Sequence, residues 1–215
     1  MKRLPLIFPM LSLFLLSGLA AQDIDWIPKK DHDGLKVYYR KPADSNVNEV
    51  RIETRLAAPL SAVIAVLKDV PAYGEWIYKC EEAKALEAPQ PKASTYYCKI
   101  DFPWPLSNRD FIARSRLTQD PDTRTVFIDV TGAPDYLPKN KGTVRIETLQ
   151  IHYELTPLPN GQVDMIYELK SEPGGALPAW LVNLAIDKGP TETILGMRRM
   201  LNQEKYLSER YPFLD

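Results

Sequence analysis

The sequence predicts an α+β fold in which an antiparallel sheet packs against one long C-terminal helix. Successive segments between Cys80 and Ser171 alternate apolar and polar residues, which is typical of half-buried strands. They are joined by short turn sequences such as Pro159-Asn160-Gly161, and short connections favour a meander over a parallel sheet. An apolar segment with helical spacing follows, from Pro178 to about Tyr206. The order of strands, helix, many strands and long helix supports the same class.

The N-terminus is predicted to be a secretory signal peptide of about twenty residues, which leaves residues 21–215 as a single globular domain. Lys2 and Arg3 provide a positive start, residues 6–16 an apolar core, and Gly18-Leu19-Ala20 small residues at a cleavage site. The apolar core is too short for a comfortable membrane span. We therefore expect export across the inner membrane, with the bacterial periplasm as the location.

The composition of the chain limits the classes of function that it can have. The chain has 215 residues, 45% of them hydrophobic, which is enough for a substantial core. Its net charge of −1 gives no electrostatic case for nucleic acid. We expect a monomer that does not bind nucleic acid.

The first half of the domain is predicted to contain two strands and a helix. The strands are Leu35–Arg40 and Val47–Leu56, the second with one apolar and one charged face. The helix is Pro59–Lys68, whose apolar residues recur at helical spacing and which ends before Pro71. Trp76 follows in a short helix or turn that returns it to the core.

The strands of the second half are predicted from their alternation. Met165 and Tyr167 share the apolar face of the last strand, and Tyr153 lies on that of the strand before it. Such large inward side chains leave open whether the interior is a packed core or a pocket. The predicted strands are roughly Cys80–Glu87, Ser94–Phe102, Arg109–Thr118, Thr125–Val130, Gly142–Thr156 and Gln162–Ser171.

The C-terminal helix is predicted to be kinked. Residues 179–186 are apolar nearly all round, which indicates burial on more than one side. Ile194, Met197 and Leu201 then recur at helical spacing. Pro190 removes a backbone hydrogen bond and clashes with the preceding turn, so the kink is expected there.

The two cysteines, Cys80 and Cys98, flank a turn candidate at Ala88-Pro89-Gln90-Pro91. A hairpin centred on Pro89 places them opposite each other, and an oxidising compartment would then permit a cross-strand disulfide. Two buried free thiols, or a register shifted by the prolines, are the alternatives.

The most distinctive segment runs from Phe102 to Phe111. Two prolines interrupt strand pairing around Trp104, so the indole projects from a rigid break between two strands. Arg109 and Asp110 follow on opposite faces of the next strand, and whichever points inward needs a partner.

These features resemble the START (steroidogenic acute regulatory-related lipid transfer) domain family, in its bacterial exported branch. Glu172-Pro173 stands where the wider family has Asp-Pro, which keeps the turn but leaves any role of that Asp open. The resemblance implies a helix-grip fold, in which a curved antiparallel sheet wraps around a long last helix and encloses an internal apolar cavity. The matching residues are Trp76, the segment 103–111, Gly142-Thr143-Val144-Arg145, and the segment 173–183.

By this resemblance the protein binds a lipid or another hydrophobic ligand and carries it, with transient membrane contact. An apolar pocket withdraws ligand surface from water at roughly 25 cal/mol per Å², and a few polar groups orient the head. Arg109 and Arg145 are the candidate polar groups, with structural ion pairs as the alternative for both. The candidate cavity residues, each with ordinary core packing as the alternative, are Trp76, Ile112, Tyr153, Met165, Tyr167, Leu181, Leu184 and Ile194.

Two other classes of protein stay open. Enzymes of the polyketide cyclase or aromatase type share the helix-grip fold, but the two histidines give them little support. His32 lies in a turn sequence and His152 on a polar strand face, neither at metal-ligand spacing. No catalytic residue, metal or cofactor is therefore predicted. The other class is a ligand-free periplasmic interaction protein that contacts a partner through Pro103-Trp104-Pro105.

Overall fold

The fold, taken from a computed structural model that describes residues 25–214, is one sheet with a bent C-terminal helix against its inner face. The predicted signal peptide lies outside the described residues. The strands are β1 (Ile27–His32), β2 (Leu35–Arg40), β3 (Glu49–Leu56), β4 (Cys80–Ala85), β5 (Ala93–Ile100), β6 (Asn108–Gln119), β7 (Val126–Gly132), β8 (Thr143–Arg145), β9 (Thr148–Pro157) and β10 (Val163–Glu172). The helices are α1 (Leu60–Lys68), α2 (Tyr73–Trp76), α3 (Ala179–Leu184), α4 (Lys188–Met200) and α5 (Glu204–Leu207), with a 3₁₀ turn at Val70–Ala72.

The sheet order is β1-β2-β3-β10-β9-β7-β6-β5-β4, and every pair in this order is antiparallel. β10 therefore joins the N-terminal strands to the rest of the sheet. The β2–β3, β5–β6 and β10–α3 connections all leave the same end of the sheet. This end, made of residues 41–48, 101–107 and 173–178 together with α3, is called the α3 end below. The predicted α+β, helix-grip class is confirmed.

One predicted strand, Gly142–Thr156, is divided into β8 and β9. β8 pairs with β6 in parallel, with Asn108 opposite Thr143. Asp110 stabilises the interruption between β8 and β9. Its carbonyl accepts a hydrogen bond from the Ile146 amide at 2.8 Å, and its carboxylate binds Arg145. The alternation seen in the sequence could not reveal this interruption, since it depends on a side-chain contact across two strands.

The core lies between the inner face of the sheet and the helices. Leu155, Met165, Ile194 and Met197 are at most 1% exposed and belong to one core, in which α4 packs against β3 of the sheet and against α2. Burying each such side chain contributes about 1.5–3 kcal/mol relative to exposure. Gly196 allows the closest contact, because a Cβ there would lie 2.2 Å from the carbonyl oxygen of Trp76.

The bend of the C-terminal helix does not lie at Pro190. α3 ends at Leu184 and α4 begins at Lys188, so the break falls at residues 185–187. Pro190 is the third residue of α4, where the backbone N–H has no partner within the helix and its loss costs little. The prediction that the helix is bent is confirmed. The predicted cause is wrong, because Pro190 lies in the first turn of the second segment and not at the bend.

Candidate functional site

Five buried aromatic side chains form the centre of the interior and are called the aromatic cluster below: Tyr73, Trp76, Tyr96, Tyr153 and Tyr167. The ring of Tyr73 packs edge-on against those of Trp76 and Tyr96, with centroids 5.3 Å apart in both pairs. Tyr153 and Tyr167 lie opposite each other on β9 and β10, with centroids 5.1 Å apart. Aromatic pairs of this kind stabilise by about 0.5–1.5 kcal/mol beyond their burial.

Polar atoms of this interior are incompletely paired. Tyr73 donates its hydroxyl hydrogen to the carbonyl oxygen of Leu67 at 2.7 Å. Trp76 Nε1 and the Thr191 hydroxyl, in contrast, are buried with no hydrogen-bond partner among the described residues. Burial raises the pKa of Tyr153, and the pKa of Tyr167 is raised by burial and then by the nearby Tyr153 hydroxyl. All these phenols are neutral at physiological pH.

Of the predicted cavity residues, Trp76, Tyr153, Met165, Tyr167 and Ile194 lie together in the core. The internal apolar cavity itself stays a prediction, and the structure places large rings in this region.

Ile112 lies on the opposite face of β6, so its prediction as a cavity residue is wrong. It is opposite Tyr97, whereas Phe111 and Ala113 are opposite Cys98 and Tyr96 of the inner face. Ile112 is nevertheless fully buried, since the first half of β6, residues 109–113, is covered on both faces. When a strand is buried on both faces, the apolar character of a residue does not show on which face its side chain lies.

The prediction that Leu181 and Leu184 line a cavity is also wrong, because α3 is not buried. Leu181 is 39% exposed, Leu184 is 73% exposed and Trp180 is 70% exposed. No residue of α3 is buried, which contradicts the prediction of burial on more than one side. Leu184 lines a surface groove of about 490 Å³ beside Tyr39.

Asn183 attaches α3 to the β2–β3 connection. Its side-chain N–H donates to the carbonyl oxygen of Asn46 at 2.9 Å, and its oxygen accepts from the Asn48 amide at 2.8 Å. The one polar side chain in the apolar run 179–186 thus faces the protein, as does Ile186, which packs against the core. Four of the eight residues of this run are exposed, namely Trp180, Leu181, Leu184 and Ala185, and together they form an apolar surface.

Arg109 joins two connections of the α3 end. Its guanidinium donates to the carbonyl oxygens of Ser107 at 2.5 Å and Pro173 at 3.3 Å, and lies 4.2 Å from the ring centroid of Phe102. It therefore fixes the β5–β6 connection against the β10–α3 connection. Trp104, in the first of these, is 92% exposed.

Arg145 forms a buried ion pair with Asp110 on the outer face of β6. Its Nε and Nη2 atoms donate to the two carboxylate oxygens at 2.7 and 3.2 Å, and Asn140 donates to the same carboxylate at 3.0 Å. The remaining donors bind the carbonyl oxygens of Pro134, Leu137 and Pro138. Arg145 therefore forms the structural ion pair stated as its alternative, whereas Arg109 is held by backbone carbonyl oxygens and has no carboxylate partner among the described residues.

The predicted register of the cysteines is wrong, although their side chains meet. Cys98 is opposite Ala83, and Cys80 is opposite Ile100, with an irregularity of β4 between them. This shift brings the two sulfur atoms to 3.2 Å, with both present as free thiols. The disulfide stays a prediction.

The histidines lie away from the interior. His152 Nδ1 is 2.7 Å from a carboxylate oxygen of Asp129 and stacks on Phe127, and His32 is exposed. Within residues 25–214, no three His, Cys, Asp or Glu side chains group as metal ligands would. No helix in this range is long and apolar enough to cross a membrane.

Comparison with known proteins gives the family. The START domain profile matches residues 14–206. The chain belongs to the START domain family. A STAR-related lipid transfer protein from Xanthomonas axonopodis is 34% identical, with a TM-score of 0.77 over 83% of this chain and 99% of that one.

Two curated relatives of this START domain have similar coverage. An uncharacterised protein of Pseudomonas aeruginosa is 33% identical over 187 residues, which is 87% of this chain and 91% of the relative. Phosphatidylcholine transfer protein of Mus musculus is 26% identical over 172 residues, which is 77% of this chain and 78% of the relative.

Sequence reasoning missed three interior residues of this START domain. They are Tyr73, Tyr96 and Thr191, and the spacing of each in the sequence indicated an inward side chain. Tyr73 lies three residues before Trp76, Tyr96 alternates with Cys98 on one strand face, and Thr191 precedes Ile194 by three residues on a helix.

Proposed function

We propose that this START domain is an exported, monomeric lipid-binding protein that takes up its ligand between the sheet and α4, and exchanges it with membranes at the α3 end. The observation that carries the proposal is α3 itself, a helix whose tryptophan and leucine side chains face solvent at this end of the sheet. The names of the lipid transfer relatives support the ligand class.

Membrane contact would explain the apolar surface. Trp104 and Trp180 lie at the same end of the sheet, and both are mostly exposed. Tryptophan is favourable at the interface between water and lipid, because its ring is apolar and its N–H is polar. Leu184 adds to the same surface. Covering these side chains with lipid would stabilise a membrane-bound state.

We propose binding without catalysis. The interior contains aromatic rings, apolar side chains and hydroxyls, and the two histidines lie outside it. An acid or base with a shifted pKa would be the mark of a reaction site. The interior phenols have pKa values raised by burial, which makes them poor bases and weak acids at neutral pH.

Vesicle-to-vesicle transfer of a fluorescent phospholipid tests this proposal. We expect the double variant Trp104→Ser/Trp180→Ser to transfer lipid about tenfold more slowly, the equivalent of ~1.4 kcal/mol of lost membrane contact. Leu207→Ser is the matched control, since Leu207 is 38% exposed on α5, away from the α3 end. Equal rates for the two variants would contradict membrane exchange at this end, and no transfer by the unaltered protein would contradict the function.

Export to an oxidising compartment would also affect the two cysteines. We propose that Cys80 and Cys98 are oxidised in the periplasm by exchange with a protein disulfide: the carrier's S–S bond is reduced to two thiols, and the two cysteines lose two hydrogens. The partly exposed Cys80 thiol, whose pKa is lowered by its hydrogen bond with Cys98, is the attacking group.

We expect intact protein from the periplasm to gain two hydrogen masses on reduction, as measured by mass spectrometry. Cys80→Ser is the control and should show no such gain. Equal masses before and after reduction of the unaltered protein would refute the disulfide. The mass of the same sample also shows whether the predicted signal peptide has been removed.

A further inference from the structure

An irregularity in the edge strand β1 brings two consecutive lysines to one carboxylate. In the pairing of β1 with β2, Pro28 is opposite Tyr38 and Lys30 is opposite Val37, so Lys29 is an extra residue. Successive side chains of a regular strand point to opposite faces, and a bulge changes this direction. The Nζ atoms of Lys29 and Lys30 accordingly lie 2.7 and 3.0 Å from the two carboxylate oxygens of Asp187. Lys29 and Lys30 are called the lysine pair below.

The lysine pair has one positive charge in excess of its partner. Asp187 carries one negative charge and is only 7% exposed. The side chains of Lys29 and Lys30 are 31% and 37% exposed, so both stay accessible from solvent. One carboxylate compensates one ammonium group. The other ammonium group is therefore available to an anion that approaches from outside.

The remaining charges at the α3 end balance. Lys41 and Glu172 border the same surface depression, where one charge offsets the other. The other ion pairs at this end each join one cation to one carboxylate, and they are Arg40–Glu49, Lys79–Asp101 and Lys170–Asp44. An anionic surface that approaches the α3 end is therefore attracted at the lysine pair and meets paired carboxylates elsewhere.

The lysine pair adjoins an apolar surface. Lys29 lines the groove of about 490 Å³ together with Tyr39, Leu184 and Ile186. Leu184 is 73% exposed and continues into the exposed apolar surface of α3. A cation beside an apolar surface matches a phospholipid, in which the phosphate adjoins the apolar part of the molecule. A free phosphate ion has no apolar part and would leave the groove unused.

We propose that the lysine pair binds the phosphate of an anionic phospholipid at a membrane surface, so that the α3 end selects anionic membranes. This inference rests on the membrane contact of the proposed function. The phosphate oxygens accept hydrogen bonds from the ammonium groups and compete with the Asp187 carboxylate for them. Phosphatidylcholine has the same phosphate, but its choline cancels the charge. Each lysine near an anionic surface strengthens binding to that surface by roughly fivefold.

Sedimentation of the purified protein with vesicles measures this preference. One set of vesicles is phosphatidylcholine alone, and the other is an equimolar mixture with phosphatidylglycerol. We expect the unaltered protein to bind the mixed vesicles at least about fivefold more tightly. Lys29→Gln should lose about fivefold on mixed vesicles and nothing on phosphatidylcholine. This variant should fold, since Lys30 stays to pair with Asp187.

Lys36→Gln is the matched control. Lys36 is an exposed lysine of β2, opposite Asp31 and close to the β1–β2 turn, at the end of the sheet away from α3. It removes the same charge from the neighbouring strand. Binding to both kinds of vesicle should be unchanged. Equal binding of Lys29→Gln and Lys36→Gln to mixed vesicles would overturn the inference.

Asp187→Asn tests the competition between carboxylate and phosphate. This change frees both lysines, so we expect about fivefold tighter binding to mixed vesicles. Lysines with a purely structural role would give no such gain. Asp31→Asn makes the same change of charge on β1, away from the lysine pair, and should leave binding unchanged. If Asp187→Asn and Asp31→Asn bind alike, the competition is refuted.

The outcomes separate this inference from the proposed function. A protein that transfers lipid but binds mixed vesicles no better than phosphatidylcholine keeps its function and lacks the anion site. A protein that binds neither kind of vesicle and transfers no lipid fails the proposed function. Inorganic phosphate provides the last comparison. If it releases the protein from mixed vesicles more than sodium chloride does at equal ionic strength, the site belongs to the free ion and the assignment to a phospholipid is overturned.

Discussion

Replacing Arg145 by methionine is expected to lower the free energy of unfolding by about 3–5 kcal/mol, because it leaves the carboxylate of Asp110 buried without its cation. The side chains of both residues are only 1% exposed. The guanidinium also binds three backbone carbonyl oxygens of the segment from Pro134 to Pro138, which would lose their donors. A small domain has a total stability of about 5–15 kcal/mol, so much of it depends on this pair.

Urea denaturation measures this loss, and a surface pair provides the control. Arg55 donates to Asp164 at 2.6 Å, but the side chains are 57% and 45% exposed. Arg55→Met should change stability little, because water screens exposed pairs. The double variant Asp110→Leu/Arg145→Met should regain part of the loss, since no unpaired charge remains. Similar denaturation midpoints for Arg145→Met and Arg55→Met would contradict a structural role for the buried pair.

Gly196→Ala is expected to lower the free energy of unfolding by about 1–3 kcal/mol, because overpacking strains the core. The new Cβ would lie 2.2 Å from the carbonyl oxygen of Trp76 and 2.9 Å from its carbonyl carbon. Both are backbone atoms, so α4 would have to move away from α2. Alanine favours a helix over glycine by about 1 kcal/mol, and the clash must exceed that gain.

Gly189→Ala is the matched control on the same helix. A Cβ at Gly189 would have Tyr78 Cδ1 at 3.9 Å as its nearest neighbour, which is an ordinary contact. This variant should be as stable as the unaltered protein or more so. A thermal unfolding series that ranks Gly196→Ala equal to Gly189→Ala would show that α4 and α2 do not pack as closely as described. Lipid binding by Gly196→Ala should weaken as well, because Trp76 moves with α2.

The alternation of side chains predicted most of the sheet, and it did so because one face of each strand is buried. Tyr153 and Tyr167 were placed inside for this reason, and they lie there. Ile112 was misplaced because the first half of β6 is covered on both faces, so an apolar residue there does not show which face its side chain is on. The cysteine register was misplaced because the hairpin is centred between Gln90 and Pro91 and not at Pro89, so Cys98 is opposite Ala83 before the irregularity of β4 is reached.

The C-terminal helix shows a different limit. Its apolar composition predicted burial, and the structure exposes Trp180 and Leu184. A sequence pattern records that side chains are apolar but does not say what covers them. For α3 the cover is proposed to be a membrane, which is not part of the chain. The sequence likewise does not show that Trp76 Nε1 and Thr191 Oγ1 lack hydrogen-bond partners, because that depends on how the side chains pack.

Native mass spectrometry of the protein, purified from the cells that produce it and then extracted with organic solvent, tests the central claim most directly. The account predicts a discrete adduct that is released on extraction as one class of lipid. The spectrum of the extracted protein should regain the adduct when that lipid is added back. A protein that carries no adduct, and whose mass does not shift with neutral glycerolipids, phospholipids or fatty acids, would contradict lipid binding in the interior.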